Sequence, residues 1–584
     1  WLKLLQTRFH SAPASAPERR PLAAARSCPW PREMATTVTL PADSNQAQGL
    51  AKYAIDFIGG AYGDNIDASV WEKAEQFHTD SVMCGVSALA MQTNAPSCLR
   101  EEALTYPDPK GAKVFGSAER CAPEKAIVAN ASAVREWDSN GTVFGYNPSI
   151  PGHTAGEFGH NDFYGVVIAA AQVTGRVDGK TALRAMICVD EIRGRLAEVF
   201  SLKSYKIDHV LHGAIASSAV YGALLGASEE EIESAIGMTV AHYVPFRAIR
   251  AGKQLSDSKG ASAALSTEVA VLSMRRAMRG FIGPKDIFRN PEAIFRFCEP
   301  TTGVDAKSSQ NSIDITLGNK ARWGQGPSPF NLVLTHSGSD FAICGMHFKI
   351  GLYEHQSAGA LDGLVSLLVK EPSILKAGAD AIERINVVAY EPAFGIIGDP
   401  AKKDPRTRQS ADHSMAFIVS RMLQKALTQG IPSSHQEAWK LLMLAPVDYG
   451  REALFDPATR ALMQKITFDH GGPDYDKRYP DGIPTSMEIN IKGGAKFSSG
   501  MVMYPPGHAR NTTADLKELL STKNKMMGDI VFADTASYEE FLKPLTNIKA
   551  LSPADLQDIY SFDWNKMRQH PCIDGARPTP NSKL

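Results

Sequence analysis

Residues Val134 to Asp162 read VREWDSNGTVFGYNPSIPGHTAGEFGHND. Gly141, Gly145, Pro148, Pro151, Gly152, Gly156 and Gly159 disfavour regular helix there, because glycine costs about 1 kcal/mol and proline about 3 kcal/mol in a helix interior. Between them stand Asp138, Asn140, Thr142, His153, Glu157, His160 and Asp162. Apolar residues then recur at helical spacing: Phe163, Val166, Val167, Ala170 and Ala171. The stretch reads as a polar loop ending at a helix N-terminus, with Asn161 or Asp162 as the cap. Free N–H groups and the positive end of a helix dipole suit an anion. The bland alternative is a solvated loop, but ionisable groups on a loop held by a scaffold often carry function.

The chain on both sides reads as helices. Upstream, Ala51, Tyr53, Ala54, Phe57 and Ile58 share one side of a short helix ended by Gly59-Gly60. Residues 68–77 and 82–91 read as two more helices, 92–123 as loop with a short strand at 113–115, and 126–133 as helix. Downstream come helices over 162–173, 180–199 and 212–225. Ser228 and Glu231 then supply a capping box for a helix reaching about 241, and 262–278 closes at Gly280 and Pro284. Residues 45–345 are expected to form a helical domain, loop-rich after 285. The pattern then changes. Residues 385–390 read as a strand. Residues 487–492 alternate with period two, and Gly493-Gly494 and the run 501–504 complete a hairpin signal. Helices at 356–369 and 414–427 lie between. This predicts an α+β module over 346–511, helices in 512–566 that return to the helical domain, and a loose tail at 567–584. The fold class is mainly α, with a large helical domain and a smaller α+β lid domain.

The 584 residues are 43% hydrophobic and 21% charged, with net charge −1, which provides for a large core. No basic run marks a nucleic-acid surface. The eight cysteines, at 28, 84, 98, 121, 188, 298, 344 and 572, never approach closer than 14 residues. That spacing argues against a zinc or iron–sulfur site and fits a reducing compartment. No metal or cofactor is expected. No apolar run is long enough to span a membrane. Residues 1–44 carry Lys3, Arg8, Arg19, Arg20, Arg26 and Arg32 among Ser, Ala and Pro, and the first methionine is Met34. They read as an organellar transit segment or as material upstream of the mature protein, outside the fold.

Five clusters compete for chemistry. The first is Asp138, Thr142 and His160. The second is Lys206-Ile207-Asp208-His209, with His212, entering a small-residue helix. The third is Gln254 to Gly260, where Lys259 precedes a helix; an ammonium there is disfavoured unless an anion joins it. The fourth is His347 to His355, where His347 and Lys349 share a face if the segment is extended. The fifth is Tyr504-Pro505-Pro506-Gly507-His508-Ala509-Arg510, a compact turn.

These clusters together resemble the MmgE/PrpD family, which contains 2-methylcitrate dehydratases and cis-aconitate decarboxylases, and most closely its fungal dehydratases. The resemblance runs from about residue 44 to 560. It rests on Asp138 and Thr142 four apart, Gly159-His160, Asp208-His209, Lys259-Gly260, Lys349 with His355, and the turn at 504–510, which is typical of the dehydratase branch. The resemblance implies a helical domain plus a lid with the site between them, a homodimer, and a tricarboxylate substrate. A mitochondrial matrix location follows from it and from the first 44 residues, with the cytoplasm as the alternative. Family active-site residues fall on Asp138, Thr142, His160, His209, Lys259 and Lys349. Family members often have Asp where this chain has Gly141. The loop after Thr142 is also longer than usual, so His153 competes with His160. Thr142, His153 and His355 are the substrate-binding candidates. The implied reaction is loss of water from 2-methylcitrate by metal-free acid–base catalysis. Asp138 would orient His160, His209 would be the complementary proton carrier, and Lys259 and Lys349 would face the substrate carboxylate. A cis-aconitate decarboxylase forming itaconate and a non-catalytic tricarboxylate-binding homologue stand as alternatives. An iron–sulfur aconitase-type hydratase is disfavoured by the cysteine spacing.

Overall fold

Small residues let the helices of the first half pack closely. The computed structural model describes residues 36–250, 254–297 and 326–578. Over the first half these form α1 (Gln46–Ile58), α2 (Ala68–Ala90), α3 (Asn94–Leu104), α4 (Pro123–Arg135), α5 (Gly165–Thr174), α6 (Gly179–Val199), α7 (Val210–Leu225), α8 (Glu229–His242) and α9 (Asp257–Ala277). Helix α9 packs on α4, α7 and α8, and α7 packs on α6 and α1. At Gly213 of α7 a Cβ would come within 2.0 Å of the Phe163 ring, so a larger residue would push α7 off its neighbour. The capping box of Ser228 and Glu231 is present at the start of α8. The mainly α expectation is met, and among the described residues no helix is long and apolar enough to cross a membrane.

Several boundaries differ from expectation. The helices read at 68–77 and 82–91 are one helix, α2. Thr79, Asp80 and Ser81, between the two expected helices, are all buried, and Asp80 meets Lys523 at 2.6 Å. A distant partner there overrides local propensity. Helix α5 begins later than 162 and has no side-chain cap, because Asp162 accepts from Asn140 at 2.5 Å. Helix α9 begins at Asp257, so Lys259 lies in its first turn rather than ahead of it. Residues 1–35 of the transit-like segment lie outside the described residues. Its end is part of the fold, however: Thr37–Leu40 pairs antiparallel with Leu332–Thr335.

The second half holds a four-stranded sheet in the order Lys496–Val502, Thr485–Ile491, Ile382–Ala389, Ile466–His470. The first three are antiparallel, and the last pairs parallel to Ile382–Ala389. The expected hairpin is present, with an irregularity between Ser498 and Met501. Gly493 and Gly494 both take φ +94 in its turn, a conformation that favours glycine. Helix α10 (Ala358–Lys370) packs on this sheet, α11 (Met415–Gln429) packs on α10, and α12 (Leu516–Val531) packs back on α2.

Candidate active site

A short strand, Thr142–Val143, is the backbone of the site. On one side it pairs antiparallel with Gly159–His160. On the other, the Thr142 N–H donates to His347 O at 2.9 Å and the His347 N–H donates to Thr142 O at 2.8 Å. His160 and Lys349 are therefore fastened to opposite edges of one strand. The Thr142 hydroxyl donates to Gly159 O at 2.7 Å and holds the pairing. The turn at 504–510 supports the 347–349 segment from behind. The Phe348 N–H donates to Gly507 O at 2.8 Å, and the Ala509 N–H donates to His347 Nδ1 at 2.9 Å. Gly507 has φ +87, and a Cβ there would meet Phe348 O at 2.2 Å.

Asp138 is the centre. It follows the end of α4 with φ +51, a strained conformation that Asp tolerates better than most residues. Trp137 anchors the turn through its indole N–H to Ser87 Oγ at 2.9 Å. The fully buried Asp138 carboxylate meets Arg135 Nη1 at 2.7 Å and Lys259 Nζ at 3.3 Å, and it pairs with Lys349. Burial alone would raise its pKa, but Arg135, Lys349 and Lys259 outweigh it and hold the group well below the usual carboxylate range. Lys259 also meets Asp412 Oδ1 at 3.0 Å. The two lysines thus converge on one carboxylate from α9 and from the segment after residue 345.

Their donors are used differently. An ammonium has three protons. Lys349 spends them on Asp138 Oδ1, on Asp138 O at 3.0 Å and on His160 Nδ1 at 3.4 Å. Lys259 has two contacts among the described residues, so one N–H remains for a ligand.

Asp138 does not hydrogen-bond His160 directly: Oδ1 lies 4.0 Å from Nδ1, and Lys349 stands between them. An ammonium can only donate, so Nδ1 accepts and the proton of His160 sits on Nε2. Burial, then Arg135 and Lys349, hold His160 well below its ordinary pKa, so it is a neutral imidazole. His209 lies with its ring centroid 5.5 Å from that of His160 and is likewise depressed by burial. Its Nδ1 is 3.3 Å from Asp208 Oδ1, and Arg250 Nε holds the other Asp208 oxygen at 2.5 Å.

Aromatic rings wall this region. Phe158 lies 5.6 Å from His209 and 6.5 Å from Phe144. Lys203 and Arg247 stand over Phe158 at 5.4 and 5.9 Å. His355 lies 5.3 Å from Phe144, and neither of its ring nitrogens has a hydrogen-bond partner among the described residues. His153 is engaged elsewhere. Its Nδ1 meets Glu198 at 2.7 Å, and its Nε2 accepts from Val333 at 3.3 Å, so it pins the loop between the strands.

Arg135, Asp412 and His413 were missed by sequence reasoning. His413 Nδ1 is 2.6 Å from Asp412 Oδ1 and 3.2 Å from Asp138 Oδ2. The available signal was the Asp-His dipeptide just ahead of a helix, repeated from Asp208-His209. Asp138, Asp412 and His413 offer ligand atoms within 4.8 Å of one another, the one such group among the described residues. Lys259 already sets its charge against both carboxylates, so a divalent ion would have to displace it. Chemically, the site gathers a cation with a spare donor and neutral imidazoles around a buried carboxylate. It can bind an anion and move protons beside it.

Residues 53–306 match the MmgE/PrpD N-terminal domain. Relatives include a 2-methylcitrate dehydratase of Salmonella typhi, 23% identical over 497 residues, covering 82% of this chain and 90% of that protein. A protein of Yarrowia lipolytica named mitochondrial 2-methylcitrate dehydratase is 26% identical over 79% of each chain. An alkylcitrate dehydratase of a fungal species is 24% identical over 39% of this chain and 46% of its own length. The matched stretch carries Asp138, Thr142, His160, His209 and Lys259, so the likeness to the MmgE/PrpD N-terminal domain takes in those five site residues.

Proposed function

We propose that this protein is a hydro-lyase that removes water from 2-methylcitrate to give 2-methyl-cis-aconitate. The observation that carries the reading is the convergence of Lys259 and Lys349 on Asp138 beside the neutral imidazole of His160. Relatives named for dehydration of 2-methylcitrate and of an alkylcitrate support the substrate class.

The difficulty of the reaction is to remove a C–H proton next to a carboxylate that is already negative. As the C–H bond breaks, its electron pair moves toward that carboxylate, which approaches a dianion. Fixed cations and N–H donors aimed there lower the barrier. Lys259, with its spare N–H, holds the substrate carboxylate. Lys349 acts as a positioning residue: it fixes the His160 tautomer so that Nε2–H faces outward from the Asp138 cluster. That N–H donates to the departing hydroxyl as the C–O bond breaks and the carbon–carbon double bond forms, giving water. The C–H proton passes to another neutral imidazole of the cluster, and His209, beside His160, relays a proton from solvent back to it. The aromatic wall of Phe144 and Phe158 keeps the reacting carbons out of bulk water.

The same reading carries a mitochondrial matrix location, supported by the name of the Yarrowia lipolytica relative and the arginine-rich first 44 residues, with the cytoplasm as the alternative. It also carries a homodimer, on family resemblance.

Product analysis on purified protein tests the reading. Incubation with 2-methylcitrate should yield an ultraviolet-absorbing alkene acid, and cis-aconitate should not yield itaconate. Itaconate as the main product would replace dehydration by decarboxylation. Tricarboxylate binding without any product would leave a binding protein on this scaffold.

A further inference from the structure

The three imidazoles around Asp138 and His160 are not equivalent. His413 reaches the cluster from the residue pair just ahead of α11, and its Nδ1 lies between two carboxylates, 2.6 Å from Asp412 and 3.2 Å from Asp138. Carboxylates only accept, so the proton of His413 sits on Nδ1 and Nε2 carries a lone pair. His160 has the opposite arrangement, because Lys349 donates to its Nδ1. One imidazole therefore presents a donor and the other an acceptor.

The surroundings reinforce the difference. Burial, then Lys259, lower the His413 pKa to about 3, so the ring is neutral at physiological pH. The His413 side chain is 11% exposed, against 2% for His160 and 3% for His209. Its Nε2 has no hydrogen-bond partner among the described residues. A histidine whose Nδ1–H is held by a carboxylate while Nε2 stays free is the arrangement of a general base.

We propose that His413, held by Asp412, is the base of this site and accepts the substrate's C–H proton at Nε2, while His160 donates from Nε2 to the departing hydroxyl. The assignment rests on the dehydratase reading above. It balances: the C–H electron pair becomes the new double bond, the C–O pair leaves with oxygen, and one proton from His160 completes water. The proton gained by His413 passes to solvent and one from solvent, through His209, restores His160.

The test uses the full chain. His413→Asn keeps an amide N–H where Nδ1–H stood, so the bond to Asp412 survives, but it removes the Nε2 lone pair. The expected result is a thermal midpoint near wild type, KM for 2-methylcitrate little changed, and kcat reduced about 10²–10⁴-fold. Added imidazole should restore part of the rate in His413→Ala. In parallel, diethyl pyrocarbonate, which acylates neutral imidazole nitrogen, should label His413 faster than His160 or His209 in wild-type protein, and 2-methylcitrate should protect it. Wild-type kcat in His413→Asn overturns the proposal, as does labelling of His160 in preference to His413. If wild-type protein leaves 2-methylcitrate unchanged, the dehydratase reading fails. The labelling then decides by itself: an unlabelled His413 overturns the free basic nitrogen, and a labelled one sustains it.

Discussion

Thr142 and His347, 205 residues apart in sequence, exchange two backbone hydrogen bonds of 2.9 and 2.8 Å. That exchange sets the distance between the two halves of the site. His160 hangs from the other edge of the Thr142 strand, and Lys349 lies two residues past His347.

Lys349→Ala removes the ammonium that separates Asp138 from His160. The His160 tautomer is then no longer fixed, and kcat should fall about 10²-fold or more. Breaking a buried pair typically costs about 3–5 kcal/mol, so the thermal midpoint should also fall. Lys349→Arg should not rescue turnover, because a planar guanidinium cannot reproduce three converging contacts. Steady-state kinetics beside a thermal scan checks this.

Lys259→Ala should raise KM more than it lowers kcat, because Lys259 keeps a donor for the ligand while Lys349 does not. Equal loss in both parameters for the two variants would show that the lysines do not divide the work.

His160→Asn should reduce kcat about 10²–10⁴-fold with tricarboxylate binding retained, measured by calorimetry with 2-methylcitrate. Retained turnover would remove His160 from the chemistry.

Gly141→Asp restores the residue often found in the family, and it should destabilise this chain. A Cβ at Gly141 would lie 2.4 Å from Phe77 Cε1, and Phe77 is stacked on Phe348 with ring centroids 3.8 Å apart. Overpacking of this kind costs about 1–3 kcal/mol, before the burial of an extra carboxylate. Chemical denaturation measures it, and Phe77→Leu in the same chain should recover part of the loss.

Acid should weaken the fold through a buried histidine one turn along α7 from His209. Burial alone lowers His212 of α7 to about 3, and neither ring nitrogen has a hydrogen-bond partner among the described residues. The unfolded chain takes up this proton near pH 6.5 and the native one only near 3, so the contribution is complete above 6.5 and lost as pH falls below it. Each unit below 6.5 costs about 1.4 kcal/mol. The stability gap between His212→Leu and wild type should shift in favour of the variant by that slope. A gap independent of pH between 7.5 and 5 would contradict the burial effect (the measurement is a midpoint at each pH).

Helix spacing, glycine stops and the Ser228 box were readable from local residues, because each is decided within a turn or two of the chain. The mainly α class followed from them. Motif resemblance brought out Asp138, His160, His209, Lys259 and Lys349. Their relation was not readable, because it depends on a strand of only two residues, Thr142–Val143, with one neighbour over two hundred positions away. The continuous α2 was hidden for a similar reason. Asp80 is acceptable inside a helix only because Lys523, brought by α12, lies 2.6 Å from it and donates to Ser139 O at 2.6 Å. His413 carried one local signal, the Asp-His pair it shares with Asp208-His209, but its contact with Asp138 spans 275 residues of sequence and could not be read from it.

Because the Thr142 strand takes its second neighbour from residue 347, the matched domain at 53–306 does not hold the machinery by itself. A nascent chain released from the ribosome only that far has Asp138 facing Arg135 and Lys259. It lacks Lys349 to set His160 and Asp412 to hold His413. The complete cluster therefore assembles late in synthesis, once residues 347–349 and 412–413 have joined Asp138.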